Sequence, residues 1–281
     1  MSKPFRCLAP LLATILLSIS SQQALSQATP EGQTVPLNGI EMYYETVGEG
    51  EPLVLLHGFT GTGADWETIA EEFSAHYRLI IPDLRGHGRS TNPSQQFTHR
   101  QSALDVFALL DLIGVDRFRA MGISTGGMTL LHMATSQPER VEAMVLIGAT
   151  SYFPEQARVI MRRSSPDSMT TEQLEREGRA HSRGLEQARE LMSQFHAFKD
   201  SYEDMNFTPP LLSTITANTL ILHGDRDGFF PVSIPVEEYQ AIPNSYLWIV
   251  PNGGHVPLFW SEEGRQMLTW VLLPFLAGEW G

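Results

Sequence analysis

The chain has 281 residues, 42% of them hydrophobic, and a formal net charge of −13. The length suits one large domain with room for an insertion, and the apolar share suits a sizeable buried core. The acidity excludes a nucleic-acid binder or a protein of anionic membrane surfaces, because phosphate recognition needs lysine and arginine.

The first 28 residues differ from the rest. Lys3 and Arg6 precede an apolar run from Leu8 to Ile19, and Ser26-Gln27-Ala28 then places small residues around a cleavage point. This pattern predicts a secretory signal peptide and a periplasmic or secreted mature protein. The run is short for a bilayer span, although an uncleaved anchor is the competing reading. The only cysteine, Cys7, lies inside this leader. The mature chain is therefore expected to have no disulfide and no thiol nucleophile.

Beyond the leader, strand-like and helix-like stretches alternate. Ile40 to Val47 reads as a strand after the Asn38-Gly39 turn. Leu53 to Leu56, Leu79 to Ile81, Arg117 to Met121, Val141 to Ile147, Thr219 to Leu222 and Tyr246 to Val250 follow as short apolar strands. Such runs suit a parallel sheet covered on both faces. Trp66 to Ala75, Ser102 to Ile113 and Met128 to Ser136 read as helices between them. The alternation predicts an α/β fold with a mostly parallel sheet between helix layers.

Residues 151–216 break the rhythm. They are rich in Arg, Glu and Met and hold no strand-like run. Thr170-Thr171-Glu172-Gln173 has capping-box form, with Met169 and Leu174 placed as a staple. Leu185, Ala188, Leu191, Phe195, Phe198 and Tyr202 recur at helical steps. The segment is predicted to be a helical cap, inserted into a core of residues 29–150 and 217–281. Met161, Met192, Met205, Phe195 and Phe198 are candidates for an apolar pocket lining or for packing beneath the cap.

Gly122-Ile123-Ser124-Thr125-Gly126 stands between a predicted strand and a predicted helix. A serine there occupies a strained turn, its hydroxyl projecting over a helix N-terminus. Serine catalysis also needs a base, an acid to orient it and donors for the oxyanion. Each has a candidate just beyond a predicted strand. The base is His255, in Asn252-Gly253-Gly254-His255. The acid is Asp227, in Gly224-Asp225-Arg226-Asp227, with Asp225 as its competitor. The donors are the backbone N–H groups of Phe59 and Thr125. His57 is either a second base or, more simply, a ring that orients the oxyanion loop. Asp83 to Ser90 lacks the spacing of a phosphate loop and reads as a structural turn near the site. His132, His181 and His196 show no metal-ligand spacing with carboxylates. No metal or organic cofactor is expected.

Together these segments resemble the α/β-hydrolase superfamily from about Gly39 to Ala277, apart from the cap. The resemblance rests on His57-Gly58-Phe59, Pro82 to Ser90, Gly122 to Gly127, Gly224 to Asp227 and Gly254-His255. It implies an acid three residues after the glycine, hence Asp227, and a single-glycine oxyanion loop. Ile123 stands where His is frequent in the superfamily, and Asn218 where Pro is frequent. Neither change removes a catalytic group. Haloalkane dehalogenases and epoxide hydrolases carry Asp at the elbow, so Ser124 points away from both. The resemblance implies a serine hydrolase of small carboxylic esters acting through an acyl-enzyme. Lactone opening, C–C bond hydrolysis, perhydrolysis and acyl transfer are alternatives on the same triad. A non-catalytic ligand-binding protein on this scaffold is the alternative from another class.

Overall fold

A computed structural model describes residues 31–280, and the predicted leader lies outside them. Its centre is an eight-stranded sheet in the order β1-β2-β4-β3-β5-β6-β7-β8. The strands are β1 (Glu31–Leu37), β2 (Ile40–Val47), β3 (Pro52–Leu56), β4 (Arg78–Pro82), β5 (Phe118–Ile123), β6 (Val141–Ile147), β7 (Asn218–Gly224) and β8 (Ser245–Val250). β1 and β2 form a hairpin, and β2 runs antiparallel to β4. From β4 and β3 across to β8 all neighbours are parallel. Asn38 and Gly39 both have positive φ, 44° and 77°. That conformation matches the twist of a two-residue hairpin turn.

The short apolar strands feed both faces. Leu53 and Leu55 of β3 join one core with Trp66, Ile69 and Phe73, while Val54 and Leu56 join the other with Val106 and Leu130. The first face is covered by α1 (Glu67–Ser74) and α9 (Glu262–Leu276), the second by α2 (His99–Leu112), α3 (Thr125–Ser136) and α8 (Ser233–Ala241). Each fully buried Leu, Ile or Phe contributes roughly 1.5–3 kcal/mol, which makes the alternation along one strand enough to hold two helix layers.

Several elements depart from the sequence reading. β1, α8 and α9 were not predicted. α2 begins at His99 rather than Ser102, because Thr98 caps it and Asp204 accepts from the His99 and Arg100 N–H groups at 2.8 and 3.1 Å. α3 begins directly at Thr125, so no loop separates it from Ser124. Among the described residues, no helix is long and apolar enough to cross a membrane.

Between β6 and β7 the chain is helical: α4 (Glu155–Arg163), α5 (Thr171–Gly178), α6 (Leu185–Ala197) and the short α7 (Pro209–Leu212). The Thr170–Gln173 capping box forms on α5, from both side chains. α6 is shorter than the predicted periodicity, which ran on to Tyr202. Arg158 of α4 donates to the carbonyls of Lys199 and Ser201 at 2.6 and 3.0 Å. It thereby turns the chain after one 3-10 turn and leaves Tyr202 exposed beneath its guanidinium. The stretch holding α4, α5 and α6 leaves and rejoins the core at one point, where Tyr152 bridges Asn206 and Phe207 N–H donates to Ser151 O at 3.0 Å, and α7 follows on the core side.

Candidate active site

Ser124 joins the end of β5 to the start of α3 with φ 48° and ψ −111°. A non-glycine residue there stores roughly 1–3 kcal/mol, so the surroundings must hold it. Ser124 N–H donates to Ile147 O at 2.8 Å, and Ser124 O accepts from Met128 N–H at 2.9 Å. The flanking glycines have no room for a side chain. A Cβ on Gly122 would lie 2.5 Å from the Gly127 nitrogen, and one on Gly126 would lie 2.1 Å from Leu56 O. Strand and helix pass that closely, and the serine is the residue pushed outward.

His255 lies in the loop after β8. Its Nε2 is 3.0 Å from Ser124 Oγ and its Nδ1 is 2.8 Å from Asp227 Oδ2. The Asp227 carboxylate is fully buried, and its other oxygen accepts from the Phe229 and Phe230 N–H groups at 2.7 and 3.2 Å. Burial works to raise this carboxyl's pKa. The hydrogen bond and charge of His255 and the Phe229 N–H outweigh it, and the net shift is downward. An ionised acid therefore faces the imidazole N–H and fixes Nε2 as the acceptor for the serine proton. Asp225, the competing acid, instead has a carboxylate oxygen 3.9 Å from Arg226 Nε. His223, which sequence reasoning passed over, donates from Nε2 to Phe230 O at 2.9 Å and braces the Asp227 loop. Burial lowers its pKa.

The loop after β3 lies against the elbow: a Cβ on Gly58 would be 3.7 Å from Ser124 Cβ. His57 is fully buried, and both ring nitrogens are engaged. Nδ1–H donates to Gly58 O at 2.7 Å, and Nε2 accepts from Leu84 N–H at 2.9 Å. The ring is therefore committed to orienting the Gly58–Phe59 peptide, and it has no nitrogen left to act as a base. Among the described residues, neither Phe59 N–H nor Thr125 N–H donates to a protein acceptor. The arrangement can stabilise a negative oxygen between them.

Ser124 and His255 open into a cavity of about 490 Å³. Met161, Met192, Phe195 and Phe198 from the helical segment line it, and Met161 and Phe198 also pack in the core, so both readings hold for those two. Met205 does not line it and packs in the core instead. Phe59 stands between cavity and core, with Phe198 at 5.1 Å and Phe195 at 5.7 Å between ring centroids. The Asp83–Ser90 turn docks the helical segment. Gly88 N–H donates to His181 Nδ1 at 2.9 Å, and Gln187 Nε2 donates to Gly86 O at 2.8 Å. Neither docking residue carries a signal in the sequence, because their partners lie about a hundred positions away. His132 and His196 bond to the Asp204 and Met161 carbonyls.

A serine at a strand-to-helix elbow, held to a histidine backed by a buried aspartate, on this sheet order, defines an α/β-hydrolase. The family model for the alpha/beta hydrolase fold matches residues 51–206, and the chain belongs to that family of enzymes. It is 30% identical to the 2-hydroxy-6-oxo-2,4-heptadienoate hydrolase of Pseudomonas putida, over 88% of this chain and 97% of the relative. It is 26% identical to the pimeloyl-[acyl-carrier protein] methyl ester esterase of Vibrio vulnificus, over 82% of this chain and 98% of that one. Among solved structures, an N-acyl homoserine lactone degrading enzyme superposes with a TM-score of 0.68. The identity is 27%, covering 86% of this chain and all of the other.

Proposed function

We propose that the protein is an exported serine hydrolase that cleaves carboxylic esters through an acyl-enzyme. The observation that carries this reading is the hydrogen-bonded run from Ser124 Oγ through His255 to buried Asp227, opening on an apolar cavity beside the free Phe59 and Thr125 N–H groups. Ser124 attacks the ester carbonyl as His255 Nε2 takes its proton. The two N–H groups hold the oxyanion, each contributing about 3 kcal/mol to the transition state. His255 then protonates the departing alcohol. Water, deprotonated by the same nitrogen, releases the acid and restores Ser124. Asp227 keeps the imidazole in the productive tautomer. The helical segment acts as the cap that shapes the acyl site. Export rests on the predicted leader. The methyl ester esterase among the relatives supports the ester reading. The lactone-degrading neighbour acts on a cyclic ester, which the same steps open.

The test is intact mass after treatment with a fluorophosphonate, on the parent and on Ser124→Ala, alongside hydrolysis of short-chain esters. One adduct and ester turnover on the parent, with neither on the variant, are expected. Ester hydrolysis surviving in Ser124→Ala would overturn the assignment.

A further inference from the structure

We infer that the cavity selects its substrate by charge, taking esters that are neutral or carry an ammonium group and rejecting those that carry a carboxylate. This rests on the ester-hydrolase reading and names the substrate class of that site. The walls supply two carboxylates, Asp65 and Glu177, and no lysine or arginine among the described residues that line the cavity. The two acids come from different elements. Asp65 belongs to the 3-10 turn Gly63–Trp66 that follows the oxyanion loop, and Glu177 belongs to α5.

Asp65 sits directly over that loop, since a Cβ on Gly61 would lie 2.1 Å from its Oδ2. Its one protein donor among the described residues is Thr62 N–H, at 3.3 Å to the same oxygen. Burial raises its pKa. A cation brought by the substrate would supply the missing partner. Phe59, Phe195, Phe229 and Trp260 also line the cavity, and aromatic faces attract ammonium groups.

A point charge need not touch either acid to feel both. A cavity of about 490 Å³ is only about 10 Å across, close to the screening length at physiological salt. Apolar walls weaken screening further. A substrate carboxylate carried away from the oxyanion N–H groups is therefore repelled, and among the described residues lining the cavity it finds no guanidinium or ammonium to pair with. The dienoate for which the Pseudomonas putida relative is named is such an anion. On this inference the present cavity discriminates against it.

The experiment compares three p-nitrophenyl esters of equal length: hexanoate, the adipate monoester and 6-(trimethylammonio)hexanoate. The expected kcat/KM for the adipate monoester is about tenfold or more below hexanoate, with the trimethylammonium ester at or above hexanoate. Asp65→Asn and Glu177→Gln should each narrow the cation-to-anion ratio about threefold or more, and 0.5 M salt should narrow it in the parent, roughly as screening requires. A parent ratio within twofold of unity, or one that neither variant changes, overturns the inference. A binding arm uses Ser124→Ala, comparing methyl 6-(trimethylammonio)hexanoate with the adipate monomethyl ester by calorimetry, so that the two ligands share the ester end and differ in the distal charge. If the parent hydrolyses no ester, the ester reading fails, and this arm still decides the charge preference. Equal or tighter binding of the anion overturns it.

Discussion

The carbonyl oxygen of His255 rests against Gly148: a Cβ on that glycine would lie 2.2 Å from it. Gly148 follows β6 with φ 57°, a conformation that favours glycine. The residue that seats the histidine is thus outside its loop, and it reaches the ring as well: the same Cβ would lie 3.4 Å from His255 Nδ1. Gly148→Ala should shift His255 away from Ser124 and lower kcat about 10²-fold, the cost typical of a misplacement near 1 Å. Thermal unfolding of the same sample separates this from loss of the fold. Unchanged kcat in a folded Gly148→Ala protein would show that the loop accommodates the methyl group.

Asp227→Asn should keep its amide oxygen on the Phe229 and Phe230 N–H groups and so turn its NH2 toward His255 Nδ1, which holds the imidazole in the unproductive tautomer and removes the charge that stabilises its cation. A fall in kcat of about 10⁴-fold is expected, with little change in KM. Asp225→Asn, two residues away and half-buried beside Arg226, bonds neither Ser124 nor His255 and should change kcat less than about threefold. Comparable losses in both variants would mean that the loop, not one carboxylate, is what matters.

His132 and His181 are buried, and burial lowers both from the ordinary 6.5 to about 4. In the unfolded chain they bind protons near pH 6.5, while in the folded chain they stay neutral down to about pH 4. Their effect on stability is therefore absent above pH 6.5 and turns unfavourable as pH falls through that window. Each costs up to about 3 kcal/mol by its lower edge. Urea unfolding at pH 7.5 and pH 4.5 should show the loss. In His181→Gln, which removes one of the two groups, the difference should shrink. An equal pH dependence in parent and variant would contradict this account.

Glu238 of α8 is fully buried beside Ser151, and burial pushes its pKa up to about 8 from 4.5. The unfolded chain releases this proton near 4.5 and the folded chain retains it, so stability is lost as pH rises between the two values. Glu238→Gln should raise the unfolding free energy by roughly 2–4 kcal/mol at pH 7.5 and hardly change it at pH 4. A variant no more stable than the parent at pH 7.5 would show that Glu238 already ionises without cost.

Whatever depends on local pattern was legible in the sequence. The apolar runs of β3 and β6 and the glycines around Ser124 state their strand, turn and close approach directly. β1 was not, because its mostly exposed residues are held by the ladder to β2 rather than by an apolar face. α8 and α9 hide behind internal prolines, Pro235 and Pro274, and α9 also exposes Met267 and Trp270. The triad candidates came together because each follows a strand end. His181, Gln187 and Glu238 look like surface residues in polar stretches. Their burial is decided by long-range contacts that no window of sequence contains. The choice between Asp225 and Asp227 likewise falls to loop geometry, since only Asp227 turns inward to the Phe229 and Phe230 N–H groups.

The Tyr152–Asn206 bridge brings the two ends of the α4–α6 stretch side by side. A segment that departs and returns through one doorway can be lengthened, trimmed or exchanged without changing the register of any strand. Ser124, His255 and Asp227 stand outside the doorway, while Met161, Met192, Phe195 and Phe198 stand inside it. Heredity can therefore alter the diet of such an enzyme by rewriting one contiguous stretch, while the bond-breaking apparatus passes unchanged from one descendant to the next.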